Sequence, residues 1–337
     1  MTSKRRSVLV GLAGASLCAA LFTADAQTST PSPSQDASSY PSRPVRVIVP
    51  FPPGGFTDVM ARYYSEKLAI KWGHPVIVEN RAGASGTIGA NAVAKAAPDG
   101  LTLLVTVAAL TSTPGVMASM PYDTVKDFIP ITILSNTQTL LVVKPDSPIN
   151  SLADLISLGK SRPGGVTYSS AGIGTGGHLM MALLESKAGV TFNHVPYKGS
   201  PAGLMAAVTG EVDTSVTSVS SALSLIQSGR IRPIAIGGDK RSALLPHVPT
   251  LLEMGLPGVI GVDGWVGLLA PAATPRPIVD RIYQDVMAIM ETSATNDVLK
   301  RQALDKLHET PDQFAARVAT EVRELSAVAR EKRIQAE

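Results

Sequence analysis

A glycine-rich segment near the N-terminus has the composition of an anion-binding loop. It reads Pro50-Phe51-Pro52-Pro53-Gly54-Gly55-Phe56-Thr57-Asp58 and joins an apolar stretch to a predicted helix. Glycines at such a junction allow an anion to approach the backbone N–H groups at the helix start, where the helix dipole favours negative charge. Thr57 or Asp58 is suited to cap this helix. The segment therefore indicates a carboxylate or phosphate site, although a turn that needs glycine only for its backbone angles would have the same composition.

A second segment, Ser169–His178, repeats the arrangement of strand, glycine loop and helix. Its glycines have the G-x-G-x-x-G spacing of a dinucleotide-binding loop and are Gly172, Gly174 and Gly177. That motif expects an acidic residue about 20 positions further on to bind a ribose hydroxyl. The sequence there reads Asn193-His194-Val195-Pro196-Tyr197 and contains no acid. We therefore expect no nicotinamide cofactor, but a second anion-facing loop with Thr175 and His178 as side-chain donors.

The sequence gives little support for metal binding, for a cofactor or for serine hydrolase catalysis. The five histidines show no metal-ligand spacing, so neither a metal nor any other cofactor is expected. No G-x-S-x-G elbow is present, because Gly83-Ala84-Ser85-Gly86 has the wrong order. An exported hydrolase acting on a carboxylated ester stays open only as a less favoured alternative.

Charge and composition exclude further classes. Apolar residues make up 45% and charged residues 17%, which predicts a folded chain and not a disordered one. The net charge of +3 is too small for nucleic-acid binding. The single cysteine, Cys18, excludes a disulfide framework and cysteine-based metal sites.

The N-terminus has the pattern of a secretory signal peptide. Lys4, Arg5 and Arg6 precede an apolar run from Val8 to Phe22, and Ala24-Asp25-Ala26 follows as a cleavage site. We expect export to the periplasm and cleavage after Ala26 (residues 1–26 removed), and the arginine pair leaves both the general secretory and the twin-arginine routes open. Residues 27–40 are rich in Ser, Thr and Pro and predict a flexible leader.

The rest of the chain alternates between strand and helix patterns. Strands are predicted at 45–49, 75–78, 101–107, 129–134, 140–143, 166–169, 192–195, 212–216 and 231–236. Helices are predicted at 57–72, 86–97, 152–160, 176–188, 201–209, 220–228, 277–291, 296–304 and from 310 onwards. This alternation predicts parallel sheets covered on both faces, and two such series predict two α/β lobes. The apolar stretches 140–143 and 266–269 are candidates for the crossings between them.

Eight motifs, in order, carry a resemblance to a known family. They are PVRVIVPFPPGGFTD, VIVENRAGASGTIGA, APDGLTLL, DFIPI, YSSAGIGTGGHL, HVPYKGSPA, VPTLLEMGLPG and GWVGLLAP. From about Tyr40 to the C-terminus the chain resembles the Bug-type extracytoplasmic solute-binding receptors of tripartite tricarboxylate transporters. The resemblance implies a two-lobed periplasmic-binding-protein fold of type II, with two crossing strands and a ligand cleft. It places lobe 1 at residues 41–142 plus 264–337 and lobe 2 at 143–263.

The resemblance also implies a set of ligand-binding residues. The two glycine loops would hold a ligand carboxylate, partly through ordered water, and other cleft residues would contact the rest of the ligand. The implied set is Gly54, Gly55, Phe56, Thr57, Ala109, Ala171, Gly172, Thr175, His178, Tyr197 and Ser218. The segments around Ala109 and Ser218 would contact the distal end of the ligand. At the second of these, many relatives carry an acid where this chain has Thr217-Ser218-Val219-Ser220, which argues against a cationic distal group.

The implied function is a non-enzymatic, monomeric receptor. It would bind a small organic acid, either a mono- or a dicarboxylate, and deliver it to membrane permease subunits. An alternative keeps the same receptor but has its liganded form signal to a membrane two-component kinase. The sequence does not choose between these outputs.

Overall fold

The computed structural model describes residues 39–54, 56–197, 199–237, 240–256 and 264–335. Its strands are β1 Val45–Val49, β2 Val76–Asn80, β3 Thr102–Val107, β4 Phe128–Ser135, β5 Thr139–Val143, β6 Thr167–Ser170, β7 Asn193–Pro196, β8 Thr214–Ser218, β9 Arg232–Ile236 and β10 Val266–Pro271. Its helices are α1 Phe56–Trp72, α2 Thr87–Ala94, α3 Ala109–Val116, α4 Leu152–Ser161, α5 Gly176–Ala188, α6 Ser200–Thr209, α7 Val219–Gln227, α8 Arg276–Met290, α9 Ser293–Arg301 and α10 Pro311–Glu331. The predicted signal peptide, its cleavage site and the leader up to residue 38 lie outside the described residues. Within the described ranges, no helix combines the length and apolar character needed to span a bilayer.

The strands form two five-stranded sheets with equivalent order. The first runs β2-β1-β3-β10-β4 and the second β7-β6-β8-β5-β9. In each sheet the first three strands are parallel, whereas β10 and β5 run antiparallel to both neighbours. These two strands enter from the other lobe without the helical crossover that a parallel neighbour requires, so they can run in the opposite direction. The predicted two α/β lobes are confirmed, but each sheet is mixed and not wholly parallel.

The chain crosses between the sheets just before the two strands that were predicted as crossings. The first crossing lies between Ser135, the end of β4, and Thr139, the start of β5. The second leads into β10 at Val266, and there Gly264 N donates to Thr137 O over 2.6 Å. The two connections are therefore bonded to each other. The predicted lobe limit after residue 142 falls within β5, which pairs with β8 and β9 of the second sheet.

Helices cover both faces of the first sheet, which agrees with its nearly continuous apolar strands. On one face, Met60 of α1 and Ile282 of α8 pack in one buried cluster. On the other face, Phe314 of α10 belongs to a second cluster that also contains Leu179 and Ala182 of α5. Because α5 belongs to the second lobe, the two lobes share this apolar layer.

Local signals predicted several elements to within a residue, and α10 shows why. Its N-cap, Thr310, accepts a hydrogen bond from Gln313 N, and the Gln313 side chain accepts one from Thr310 N, which completes a capping box. The predicted strand 45–49 and helix 176–188 have the observed limits. Helix α3 was not predicted, because its eight residues include Pro114 and Gly115, both of which disfavour a helix interior.

Tyr40 corrects the predicted extent of the leader. It is the last residue assigned to that flexible segment, yet it is buried in the first lobe. Its hydroxyl donates to Gly100 O over 2.7 Å, and its ring packs edge-on against Trp72 at 5.4 Å. The ordered first lobe therefore begins before residue 41.

Candidate functional site

A cavity of about 270 Å³ lies where the carboxyl ends of β1, β3, β6 and β8 face each other across the two lobes. Strand order reverses on either side of β1 and β6, and such switch points are where α/β sheets bind ligands. The cavity is lined by Phe51, Phe56, Val107, Ala108, Ala109, Thr137, Thr139, Ala171, Thr175, Gly176, Gly177, Ser200, Val216, Thr217, Ser218, Ser221 and Gly264. Among these described lining residues none carries a charged side chain. Hydroxyl and backbone groups must therefore provide the polar contacts.

The first glycine loop, described over residues 50–54, is held by a buried carboxylate. Asp58 is 3% exposed, and its Oδ2 accepts from Gly54 N and Arg62 Nε, both at 2.9 Å. Its Oδ1 accepts from Asn80 Nδ2 at 2.9 Å, and the same amide group donates to Phe51 O. Burial alone would raise the pKa of Asp58, but the hydrogen bonds and the Arg62 charge outweigh it and hold the pKa below its ordinary value. Asp58 therefore positions the loop as an ionised group.

The second glycine loop (residues 171–175) is stabilised mainly by its own polar groups. Thr175 Oγ1 donates to Gly172 O over 2.7 Å, and Gly172 N donates to Ser170 Oγ over 3.1 Å. Gly172 and Gly174 have φ values of 136° and 74°, which glycine adopts most readily. The Thr175 side chain was predicted to donate to an anion, but here its proton is committed to the loop.

His178 also holds this loop. Its Nδ1 accepts a hydrogen bond from Gly174 N over 3.0 Å, and its ring stacks on His194 with centroids 3.9 Å apart. His194 Nε2 in turn lies 2.7 Å from Ser170 Oγ. Burial lowers the pKa of both rings to about 4, and the neighbouring His178 charge adds to the effect at His194. Because Nδ1 is the acceptor, the neutral ring carries its proton on Nε2. His178 does not line the cavity, and its role as an anion donor stays a prediction.

Several helices begin at the cavity, and three of them lack a side-chain cap. They are α3, α5 and α6, whose N-cap residues are Ala108, Thr175 and Gly199. Among the helices that begin away from the cavity, α4, α9 and α10 are capped by Ser151, Thr292 and Thr310, whereas α2 and α8 also lack a side-chain cap. Because the first N–H groups of a helix have no intrahelical partner, an uncapped start provides donors and partial positive charge. The cavity is therefore surrounded by N–H donors from both lobes.

Helix α3 is fixed in place by a residue that the sequence did not single out. Glu321 of α10 is buried, and its Oε2 accepts from Thr111 Oγ1 at 2.8 Å and from Trp265 Nε1 at 3.1 Å. Burial raises the pKa of this carboxyl. Ala108 N also donates to Trp265 O. Glu321 therefore links the start of α3 to the second crossing, next to Gly264.

One wall of the cavity carries a group of hydroxyls. Ser218 Oγ lies 2.8 Å from Ser221 Oγ and 2.9 Å from Ser220 Oγ, and Thr137 Oγ1 lies 3.3 Å from Ser220 Oγ. Thr217 is 5% exposed, and its Oγ1 has no hydrogen-bond partner among the described residues. Buried hydroxyls are normally paired, so Thr217 Oγ1 stands out at this wall.

The structure divides the predicted site residues into two groups. Those that line the cavity are Phe56, Ala109, Ala171, Thr175 and Ser218. Those behind or beside the lining are Gly54, Thr57, Gly172, His178 and Tyr197, and Gly55 lies outside the described residues. The backbone N of Tyr197 donates to Ser170 O, while its side chain packs with Val212. Tyr197 therefore supports the second loop from outside.

Sequence reasoning missed the lining that comes from the crossings. Thr137 and Gly264 are 127 positions apart in the chain, and only the bond between the two connections brings them together. Strand and helix patterns carry no signal for such a contact. An accurate placement of the crossings would have suggested both residues.

Nucleophilic catalysis would need a serine and a histidine in contact at the cavity. Ser170 and His194 are within hydrogen-bond distance, but Ser170 is 1% exposed and does not line the cavity. No group of three or more His, Cys, Asp or Glu side chains in the described ranges is placed to hold a metal ion. The uncharged lining and the uncapped starts of α3, α5 and α6 offer N–H donors that suit an oxyanion.

Two α/β lobes with a cavity between the ends of their strands define the class of two-lobed solute-binding proteins. Residues 60–334 match the family described as the tripartite tricarboxylate transporter family receptor. The chain belongs to this family of solute-binding receptors, and the resemblance to Bug-type proteins that the motifs indicated is confirmed.

The relatives include proteins with known ligands. The chain is 35% identical to Protein BugT of Bordetella pertussis over 297 residues, which cover 88% of this chain and 91% of BugT. R. palustris Rpa4515, solved with adipate, is 32% identical with a TM-score of 0.75, covering 88% of this chain and 99% of that one. MatC (Rpa3494) from Rhodopseudomonas palustris, solved with bound malate, is 31% identical with a TM-score of 0.72, covering 86% and 99%.

Proposed function

We propose that this protein is a periplasmic receptor that binds a small organic carboxylate between its lobes and delivers it to the permease subunits of a tripartite tricarboxylate-type transporter. In this proposal it acts as a monomer, requires no cofactor and performs no catalysis. The signal peptide is removed after Ala26. The proposed ligand carboxylate occupies the part of the cavity next to the two glycine loops.

The observation that carries this proposal is the set of uncapped helix starts around one uncharged cavity. Helices α3, α5 and α6 provide N–H groups from both lobes, and no side-chain cap competes for them. Charge-assisted hydrogen bonds to a carboxylate are short and strong in such a site. The adipate and malate complexes of relatives support the same ligand class.

The bonds that hold the glycine loops support a role for their backbone in binding. Asp58 and His178 each accept one loop N–H group, which fixes the loop conformation before a ligand arrives. A preorganised loop loses less conformational freedom on binding, which improves affinity. We propose that Ala171 and the N–H groups that follow Thr175 at the start of α5 contact the carboxylate, with Ala109 and Ser218 towards the other end of the ligand.

A calorimetric screen of the mature chain tests the proposal. Residues 27–337 are titrated with mono-, di- and tricarboxylates, and at least one acid should bind. The variant Ala171→Phe places a ring in the cavity and should reduce affinity for that acid by at least about 100-fold, because the ligand and ring compete for the same space.

Ala153→Phe is the matched control. Ala153 is exposed on α4 and does not line the cavity, so the same added ring should leave affinity unchanged. Equal affinity in wild type and Ala171→Phe would place the ligand elsewhere. No binding of any acid would contradict the receptor proposal.

A further inference from the structure

We propose that Glu321 of α10 is a positioning residue of the ligand site, which acts through Thr111 and Trp265 from behind the cavity lining. The inference rests on the proposed function and extends it. It concerns the part of the lining formed by the start of α3 and by the second crossing, which we call the α3 wall (Ala108, Ala109 and Gly264).

Helix α3 depends on other elements to position its start. Its N-cap residue, Ala108, makes no side-chain cap, and Pro114 and Gly115 disfavour the helix interior. The helix has only eight residues, and an isolated helix of that length is not stable in water. The N–H groups that α3 offers at the cavity are therefore held in place by tertiary contacts.

Helix α10 makes these contacts along one face of α3. Thr111 Oγ1 lies 2.8 Å from Glu321 Oε2. Four residues further on, a methyl group at Gly115 would lie 2.7 Å from Ser326 Cα, so the two helices are in close contact there. Residues four apart lie on the same face of a helix. The bond to Glu321 therefore fixes the end of that face nearest to the cavity.

The same carboxylate also holds the second crossing. Trp265 Nε1 donates to Glu321 Oε2 over 3.1 Å, and Trp265 O accepts from Ala108 N over 3.2 Å. One oxygen atom of Glu321 is thus bonded to α3 and to the residue directly after Gly264. Together with the backbone bond, these contacts fix the two parts of the α3 wall relative to each other.

Glu321 is itself fixed and does not line the cavity. Its side chain is 10% exposed, and Arg317 Nη1, one turn earlier on α10, lies 3.4 Å from its Oε1. Both of the neutral donors to Glu321 belong to elements of the α3 wall. Loss of this carboxylate should therefore reach ligand affinity, and not only the stability of the fold.

Calorimetry on the mature chain tests this role. The probe is the acid that binds wild type most tightly in a panel of acetate, hexanoate, benzoate, malate, adipate and citrate. Glu321→Leu removes both hydrogen bonds and should weaken binding of that acid about tenfold, because the donors of α3 lose their fixed position. Glu321→Gln keeps an oxygen that accepts both bonds and should stay within about threefold of wild type.

Glu309→Leu is the matched control. Glu309 also has a largely buried carboxylate that accepts from Arg317, at 2.6 Å, but among the described residues it bonds to neither Thr111 nor Trp265. Its loss should lower the melting temperature and leave affinity for the probe acid unchanged. Circular dichroism and thermal unfolding measure the fold and stability of every variant.

Thr111→Val tests the same link without changing the carboxylate. It keeps the shape of the side chain but removes the hydroxyl, and it should weaken binding of the probe acid several-fold. In the Glu321→Leu background it should add little, because the acceptor is already absent. If Glu321→Leu does not fold, Thr111→Val alone decides.

Three results would overturn the inference and leave the receptor proposal standing. They are wild-type affinity in Glu321→Leu and Thr111→Val, an equal loss of affinity in Glu321→Leu and Glu309→Leu, and a Glu321→Gln variant that binds as weakly as Glu321→Leu. The last of these would assign the effect to charge and not to the two hydrogen bonds. If wild type binds no acid of the panel, the receptor proposal fails and this inference fails with it.

Discussion

In both glycine loops a glycine N–H donates to a side chain of the following helix, but the acceptor group differs between the two loops. In the first lobe, Gly54 N donates to Asp58 Oδ2, and in the second lobe, Gly174 N donates to His178 Nδ1. Each acceptor lies four residues after its glycine, in the first turn of the following helix. Asp58 is an ionised carboxylate and His178 a neutral imidazole. The comparison shows that this position requires an acceptor to hold the loop, so the type of side chain there does not reveal the charge of the ligand.

The loops differ also in what surrounds them. A methyl group at Gly54 would meet no atom within 4 Å, whereas one at Gly174 would lie 2.6 Å from Val116 Cγ2. Val116 belongs to α3 in the first lobe. The second loop is therefore part of the contact between lobes, and the first loop is not crowded in this way.

The largest effect is expected from Asp58→Asn. The amide cannot reproduce the charge or all acceptor bonds of the buried carboxylate, so the free energy of unfolding should fall by about 2–3 kcal/mol. Urea unfolding measures this loss. Asp280→Asn is the matched control, because Asp280 also pairs with an arginine four residues away but is 44% exposed, and its loss should stay below about 0.5 kcal/mol. Similar losses in the two variants would show that the loop does not depend on Asp58.

A smaller effect is expected from Gly174→Ala. The substitution adds both backbone strain at a positive φ and a clash with Val116, and should lower the free energy of unfolding by about 2 kcal/mol. Gly54→Ala adds only the strain, at about 1 kcal/mol. Thermal and urea unfolding compare the two. The added variant Val116→Ala should recover part of the Gly174→Ala loss, and no recovery would show that the clash is not its source.

The smallest change in the free energy of unfolding is expected when the pH is lowered. The pKa values of His178 and His194 are lowered to about 4 in the folded protein, against about 6.5 when unfolded, so between these values the unfolded chain binds more protons. The stabilisation is complete above pH 6.5 and is lost as pH falls towards 4. Between neutral pH and about 4.5 we expect a loss of about 1–2 kcal/mol, reduced because both rings are partly accessible.

The double variant His178→Gln with His194→Gln isolates this contribution. Its stability should depend less on pH in this range than that of wild type, as measured by urea unfolding at several pH values. The pKa of Asp58 is lowered as well, so its contribution is lost only at still lower pH, below its ordinary range. Parallel pH curves for wild type and the double variant would contradict the assignment to the histidines.

Much of the fold could be predicted because its signals are local. Apolar runs and helix caps gave β1, α5 and the start of α10 from neighbouring residues alone. Helix α3 could not be predicted this way, because Pro114 and Gly115 disfavour a helix interior. In addition, its first turn is anchored by Glu321, which lies more than 200 positions away in the chain. The antiparallel direction of β5 and β10 likewise depends on the path between lobes, which periodicity does not record.

The sequence by itself determined the class of this protein: two glycine loops at helix starts, alternating strands and helices, and ordered motifs along nearly the whole chain. Those features depend on residues close together in the chain, where backbone geometry and apolar spacing act directly. Only the tertiary structure decided which side chains face the cavity. It turned His178 and Thr175 towards their own loop and brought Thr137 and Gly264 to the lining. It also left Thr217 Oγ1 without a partner, because hydrogen-bond partners are set by the packing of distant segments and not by their order in the chain.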